Sequence, residues 1–238
     1  MGAAEAVTIA SYRRAGGHAP ADDESLEIAV DGRFDLVRTV GGPRVGRFAG
    51  TLSAQGLAAL TRLMATADSV HAPATGLPPH VTETVSTARS KILIGALATR
   101  STPAGKLVRR MRDLAATLTD RPEHAVAALH LRVADDARWA ALASVGRSPT
   151  WIDGTNAELR YALFGEHEEL IVSGDIAGSR AVRREQELSP GAVIEIPLPA
   201  DLAFNSNRTL QVQVDVDLLE GDGRRRRARL SAIAGKGW

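Results

Sequence analysis

Apolar and polar side chains alternate from Val7 to Arg13 (Val-Thr-Ile-Ala-Ser-Tyr-Arg), the two-residue period of a strand with one buried face. Gly16-Gly17 breaks the pattern, and the polar run Asp22-Asp23-Glu24-Ser25 leads into a second alternation at Leu26, Ile28 and Val30. Asp31-Gly32 separates that run from a third at Phe34, Leu36 and Val40. Asp-Gly between two alternating runs predicts a tight β-hairpin. Gly41-Gly-Pro-Arg-Val-Gly46 then bends the chain ahead of a short strand, Arg47 to Leu52. After Ser53 the period changes: Leu57, Leu60, Leu63 and Met64 share one helical face, with Ser53 placed to cap it, and the helix is expected to end near Asp68.

Three prolines between His71 and His80 remove amide donors and predict a stiff loop. Strand texture returns from Val81 to Leu97 around Val85 and Ile92-Leu-Ile94. Thr102-Pro103 supplies an N-cap and a first-turn proline for a second helix, with Leu107, Val108, Met111, Leu114, Ala115 and Leu118 at helical spacing. Helical periodicity stops at Asp120-Arg-Pro-Glu123. Beyond it, alternating runs recur at Leu129 to Val133, Leu159 to Phe164, Glu169 to Ser173, Val182 to Leu188, Ala192 to Pro197 and Leu210 to Leu219, divided by Gly, Pro and Asn. The pattern predicts an α+β domain over residues 1–120, a mixed or antiparallel sheet with two helices, followed by an all-β sandwich domain over residues 124–238.

A chain of 238 residues has room for two such cores without staples. Hydrophobic residues at 44% and charged residues at 24% exclude wholesale disorder. No cysteine is present, which excludes disulfides, thiol nucleophiles and thiolate metal sites. A net charge of +1 provides no global field toward nucleic acid or anionic lipid. Met1 to Ala10 lacks a leader pattern and no run reaches the ~18 apolar residues of a spanning helix, so a cytoplasmic protein without membrane or nucleic-acid partners is expected. Lys91, Lys106 and Lys236 are the only lysines, and arginine with abundant alanine reads as the coding bias of a GC-rich bacterial genome.

Arg224-Arg-Arg-Arg227 with Arg229 resembles a nucleic-acid or membrane patch, but the loop Glu220-Gly-Asp-Gly-Arg224 predicts a hairpin that sets Asp217 opposite Arg227 and Asp215 opposite Arg229. The same register sets Val214 opposite Leu230 and Val216 opposite Ala228. The run is thereby a solvated, ion-paired face rather than a binding patch. Gly41 to Gly46 has phosphate-loop glycine spacing, yet Arg47-Phe48 stands where Lys and Ser/Thr are required. No serine lies in Gly-x-Ser-x-Gly or Ser-x-x-Lys. Among the histidines, His71 and His80 bracket the proline loop and would meet at its base; Glu166-His-Glu-Glu169 groups three carboxylates and an imidazole but follows Gly165 as a hairpin tip. Asp153-Gly-Thr-Asn156 lacks the spaced acids of a calcium loop and reads as a turn. Trp139, Trp151 and Trp238 read as packing, since aromatics are 4% of the chain and do not interleave with basic residues.

Arg14-Ala-Gly-Gly-His-Ala19 at the end of the first strand, with the element order through residue 119, resembles emfourin, a small proteinaceous inhibitor of thermolysin-like metalloproteases. Pro20 departs from the glycine expected there, and a longer acidic loop is inserted. The resemblance implies an α+β module whose first strand and Gly16-Gly17 turn approach a protease cleft. Leu188-Ser-Pro-Gly-Ala-Val-Ile-Glu-Ile196 is similar to the turn-and-strand texture of immunoglobulin-like accessory domains. Together these readings predict a non-enzymatic two-domain binding or assembly protein with a protein partner and no cofactor or metal, its binding residues being Arg13, Arg14, Gly16, Gly17 and His18. The alternative is a hydrolase or metal-assisted enzyme using His71, His80 or the Glu166 to Glu169 cluster.

Overall fold

The computed structural model describes residues 7–16, 24–67, 70–72, 81–95, 102–176, 182, 184–202, 204–205, 207–219 and 223–235. The chain divides into two compact units, one comprising Met1–Arg38 and Arg47–His124, the other Thr39–Gly46 and Ala125–Trp238. The second unit therefore takes in Thr39–Gly46, a segment that the sequence pattern leaves within the first domain.

The first unit is a sheet with two helices. Its strands are β1 (Thr8–Ala15), β2 (Glu24–Ala29), β3 (Arg33–Arg38), the Arg47–Thr51 part of β4 (Arg44–Thr51), β5 (Val70–Ala72), β6 (Thr82–Thr87) and β7 (Lys91–Gly95). They run in the order β4-β3-β2-β1-β6-β7-β5. Pairing is antiparallel from β3 across to β7, and β5 joins β7 in parallel. The β2–β3 hairpin turns at Asp31-Gly32, where Gly32 has φ +83° and the Asp31 carboxylate accepts the Arg33 backbone N–H. Helix α1 (Ala54–Thr66) starts where Ser53 Oγ accepts the Gly56 N–H at 3.1 Å. Helix α2 (Pro103–Asp120) is capped by Thr102, whose Oγ1 accepts the Gly105 N–H at 3.1 Å, and Pro103 occupies the first turn. Leu107, Val108, Met111, Ala115 and Leu118 line its buried stripe. Even-numbered Ala10, Tyr12, Leu26, Ile28, Phe34 and Leu36, with Val85 and Ile92, are buried on one face of the sheet. The alternation assigns residues 11, 13 and 15 to the opposite, outer face.

The second unit carries β8 (Ala125–Val133), β9 (Trp139–Ser144), β10 (Thr150–Phe164), β11 (Leu170–Asp175), β12 (Glu185–Leu188), β13 (Val193–Pro197), β14 (Thr209–Leu219) and β15 (Arg225–Gly235). One run is β13-β9-β8, a second is β11-β10-β14-β15, and β12 pairs with the start of β10. Leu129, Leu131, Leu142 and Ile196 from the first run share one core with Ile152, Leu163, Val212, Val214, Val216 and Leu230 from the second. Thr39–Gly46 stitches the two runs together. Its Thr39 and Gly42 carbonyls accept the Arg229 and Ser231 N–H groups, its Pro43 carbonyl accepts the Leu131 N–H, and Val45 is buried in the core.

The expectation of an α+β domain followed by a sandwich is corrected. Strands make up 55% of the described residues, the sheets are large and antiparallel, and the described residues contain two α-helices. Long helical runs display their period plainly, whereas strands of three or four residues such as Val70–Ala72 and Glu185–Leu188 are too short to show one, so pattern alone under-reads the β content. Asp153 to Asn156 is likewise not a turn but lies within β10, at an irregularity where pairing to β14 skips from Asp153 to Glu158. Trp139 packs under the Arg132 guanidinium, 5.6 Å from its ring centre, while Trp151 is 45% exposed. No described helix is long and apolar enough to cross a membrane.

Candidate functional site

Consecutive residues of a strand point to opposite faces, so β1 sends Arg13 and Arg14 into different environments. On the inner face, the register places Arg38, Glu24, Arg14 and Glu83 directly opposite one another on β3, β2, β1 and β6. The result is a row of alternating charge across four strands. Glu24 and Glu83 are each 2% exposed. Arg112 of α2 grips Glu83 with two hydrogen bonds, Nε to Oε1 at 2.7 Å and Nη2 to Oε2. The Tyr12 O–H donates to Glu83 Oε1 at 2.7 Å, and Arg38 Nη1 donates to Thr119 Oγ1 at 3.0 Å. Arg38 Nε lies 3.1 Å from Glu24 Oε1, yet its N–H is not aimed at that oxygen and neither atom has a hydrogen bond. That contact is coulombic only.

Burial pushes the Glu24 carboxyl above its ordinary value of 4.5, against the opposing pull of Arg38 and Arg14. Burial, then the Glu83 charge, pushes the Tyr12 phenol well above the usual tyrosine range. The Glu83 hydrogen bonds hold Arg112 more firmly protonated. A carboxyl with a raised folded-state pKa holds its proton more tightly when folded. Its contribution favours the fold below about 4.5 and is lost as pH rises through the raised value. Replacing Glu24 with Gln is therefore expected to remove a decline in stability that wild type shows between acid and neutral pH, read as the difference in urea midpoints across that range. Parallel profiles for the two proteins would refute this.

The outer face of the same sheet is a hollow of about 640 Å³. Register arranges its lining in two rows, Ser11–Ser86–Lys91 and Arg13–Thr84–Leu93, with Ala15 and Thr82 beyond them. Hydroxyls occupy the middle strand and cations stand at opposite corners. Both cations also interact within the protein, so a ligand here shares them.

Of the residues expected to bind, Arg13 belongs to this outer hollow, Arg14 belongs to the inner charge row, and Gly16 is half-buried just past the end of β1. Gly17 and His18 lie outside the described residues. Both edges of β1 are paired from Ala10 to Arg14, to β2 and to β6, so its backbone is not open to a further strand. His71 sits on β5 opposite Leu93, and His80 lies outside the described residues. Glu166 to Glu169 forms the exposed β10–β11 tip, where the Glu169 carboxylate accepts the His167 N–H and its carbonyl accepts the Gly165 N–H. Among the described residues no group of three or more His, Asp or Glu side chains is placed to hold a metal ion.

The arginine run is ion-paired. Asp215 faces Arg229, Asp217 faces Arg227, Val214 faces Leu230 and Val216 faces Ala228. Arg225 Nη1 reaches Asp153 Oδ2 at 2.6 Å, Arg227 lies 3.5 Å from both Asp217 and Glu158, and Arg229 Nη2 reaches Asp215 Oδ2 at 2.9 Å. Glu220 to Asp222, the expected hairpin tip, is outside the described residues. Hydrogen bonding to Thr155 lowers the Asp153 pKa, and on β8 burial followed by Arg44 lowers that of His130. No protein-family model matches the chain, and no curated protein matches its sequence.

Proposed function

We propose that the protein is a non-enzymatic binding protein whose first unit receives an acidic, extended segment of a partner protein across the outer sheet face. The observation that carries this reading is the hollow of about 640 Å³ in which Arg13 and Lys91 flank the hydroxyls of Ser11, Thr84 and Ser86. Two cations at opposite corners favour a ligand with distributed negative charge over a single small anion, and hydroxyls between them suit backbone amides and carboxylates. An inhibitory version of the reading, directed at a protease, rests on Gly16 to His18, because β1 itself has no free edge from Ala10 to Arg14.

The test is fluorescence anisotropy with a labelled hexaglutamate peptide at low ionic strength. Each exposed charge contributes roughly 0.5–1 kcal/mol, so Arg13→Glu combined with Lys91→Glu is expected to weaken binding about tenfold. Added salt should weaken the wild-type complex by screening. Equal affinity for wild type and the double variant overturns the proposal.

A further inference from the structure

Independently of the first unit, we infer that the outer edge of β11 is a strand-addition site for an extended peptide with an apolar centre and basic flanks. β11 is the terminal strand of its run, paired with β10 on one side and with no other strand among the described residues. Leu170, Ile171 and Val172 are 57%, 44% and 39% exposed, so both faces of the strand, not only one, present apolar surface. Such an edge is ordinarily blunted by charge, proline or short length. The neighbouring strands of this unit follow that rule: β12 has four residues including Glu185 and Glu187, and β13 carries Glu195 and ends on Pro197. Between Leu170 and Val172, β11 carries neither charge nor proline, and its one protecting device is the bulge at Ile171.

The backbone is oriented for pairing. The Ile176 N–H donates to the Leu159 carbonyl at 2.8 Å, which makes Ile176 and Leu159 a hydrogen-bonded pair. Alternation along an antiparallel ladder then turns the N–H and C=O groups of Ser173 and Asp175 outward, where an added strand would engage them. Ile171 is the extra residue of a bulge, so the ladder offered runs from Val172 to Asp175.

Charge selects the occupant. Glu166, Glu168 and Glu169 precede the strand, all exposed, and Asp175 closes it with a side chain 91% exposed that lies 4.0 Å from Arg160 Nε at the outer limit of an ion pair. A second copy of β11 pairing antiparallel over Val172 to Asp175 would set each Val172 against the other copy's Asp175, apolar against charge at both ends, and would bring no cation to the acids. A partner with Lys or Arg on either side of alternating apolar residues meets acid at both ends. On this reading the Glu166 to Glu169 cluster is a recognition element rather than a metal site.

The experiment titrates the full-length protein with a labelled Lys-Ile-Thr-Val-Thr-Lys peptide and with its Glu-flanked counterpart. Ser173→Pro deletes one outward N–H and is of the kind an edge strand tolerates; Ile171→Lys adds a repelling charge at an exposed position without touching the backbone. The Lys-flanked peptide is expected to bind wild type at sub-millimolar concentration, at least tenfold more weakly to each variant, and at least tenfold more tightly than the Glu-flanked peptide. Absence of binding to wild type, or equal binding to wild type and both variants, overturns the inference. So does equal binding of the two peptides, and so does concentration-dependent dimerisation that Ser173→Pro abolishes, since the occupant would then be a second copy.

Discussion

Alanine at Gly46 will lower the melting temperature of the second unit by about 10 °C, while alanine at Gly42 will lower it by only about 4 °C. Both glycines have positive φ, +127° and +77°, and an L side chain in such a conformation costs roughly 1–2 kcal/mol at either place. Only Gly46 is crowded. A Cβ there would overlap the Ala127 carbonyl oxygen and lie 2.6 Å from the Ala128 Cα, whereas nothing lies within 4 Å at Gly42. Overpacking against backbone adds about 1–3 kcal/mol, and one kcal/mol is worth about 4 °C for a domain of this size. The difference between the two variants, measured by thermal unfolding, isolates the close approach of β4 to β8; equal shifts would show that φ strain alone sets the cost. The same contact means that a fragment beginning at Arg121 lacks the Thr39, Gly42 and Pro43 acceptors and the buried Val45, and will not unfold cooperatively.

That exchange of Thr39–Gly46 into the second unit was not legible in the sequence. Its partners, Leu131, Arg229 and Ser231, lie roughly 90 to 190 positions along the chain, and no local period encodes so distant a pairing. What was legible had a local cause. Asp31-Gly32 fixes the β2–β3 register, and the same register implies that Glu24 faces Arg38. Ser53 and Thr102-Pro103 announce their helices by capping chemistry. The β14–β15 ladder was readable because a one-residue slip would drive Asp215 and Asp217 to the wrong side of their arginines. The candidate site was legible only in part. Arg13 and Arg14 are adjacent in sequence and so invite a single role, but strand alternation separates them, and the partners that give Arg14 its environment, Glu83 and Arg112, come from elements no short pattern connects. The exposure of Leu170 to Val172 on both faces also has no sequence signal, since the same run serves equally as a buried strand.

Arg112→Leu will destabilise the first unit by about 2–3 kcal/mol, and Glu83→Gln will partly restore it. Removing one partner of a buried ion pair typically costs about 3–5 kcal/mol because the other charge is left without compensation. Here the Arg112 side chain is 43% exposed and Arg14 still stands opposite Glu83, so the cost falls at or just below the lower end of that range. In wild type, Glu83→Gln forfeits charge-assisted hydrogen bonds from Arg112 and Tyr12, each worth about 1.5–3 kcal/mol, and is destabilising. With Arg112 absent, the same substitution removes a buried carboxylate that has lost its two guanidinium hydrogen bonds, while its amide oxygen still accepts from Tyr12, and is stabilising. The sign of the Glu83→Gln effect thus reverses with the residue at position 112. Urea midpoints of wild type, the two single variants and the double variant close this cycle, with a coupling of at least about 1 kcal/mol expected between groups in direct contact. If Glu83→Gln destabilises both backgrounds equally, the carboxylate is not held by Arg112, and the row from Arg38 to Glu83 is a set of separate contacts rather than one electrostatic unit.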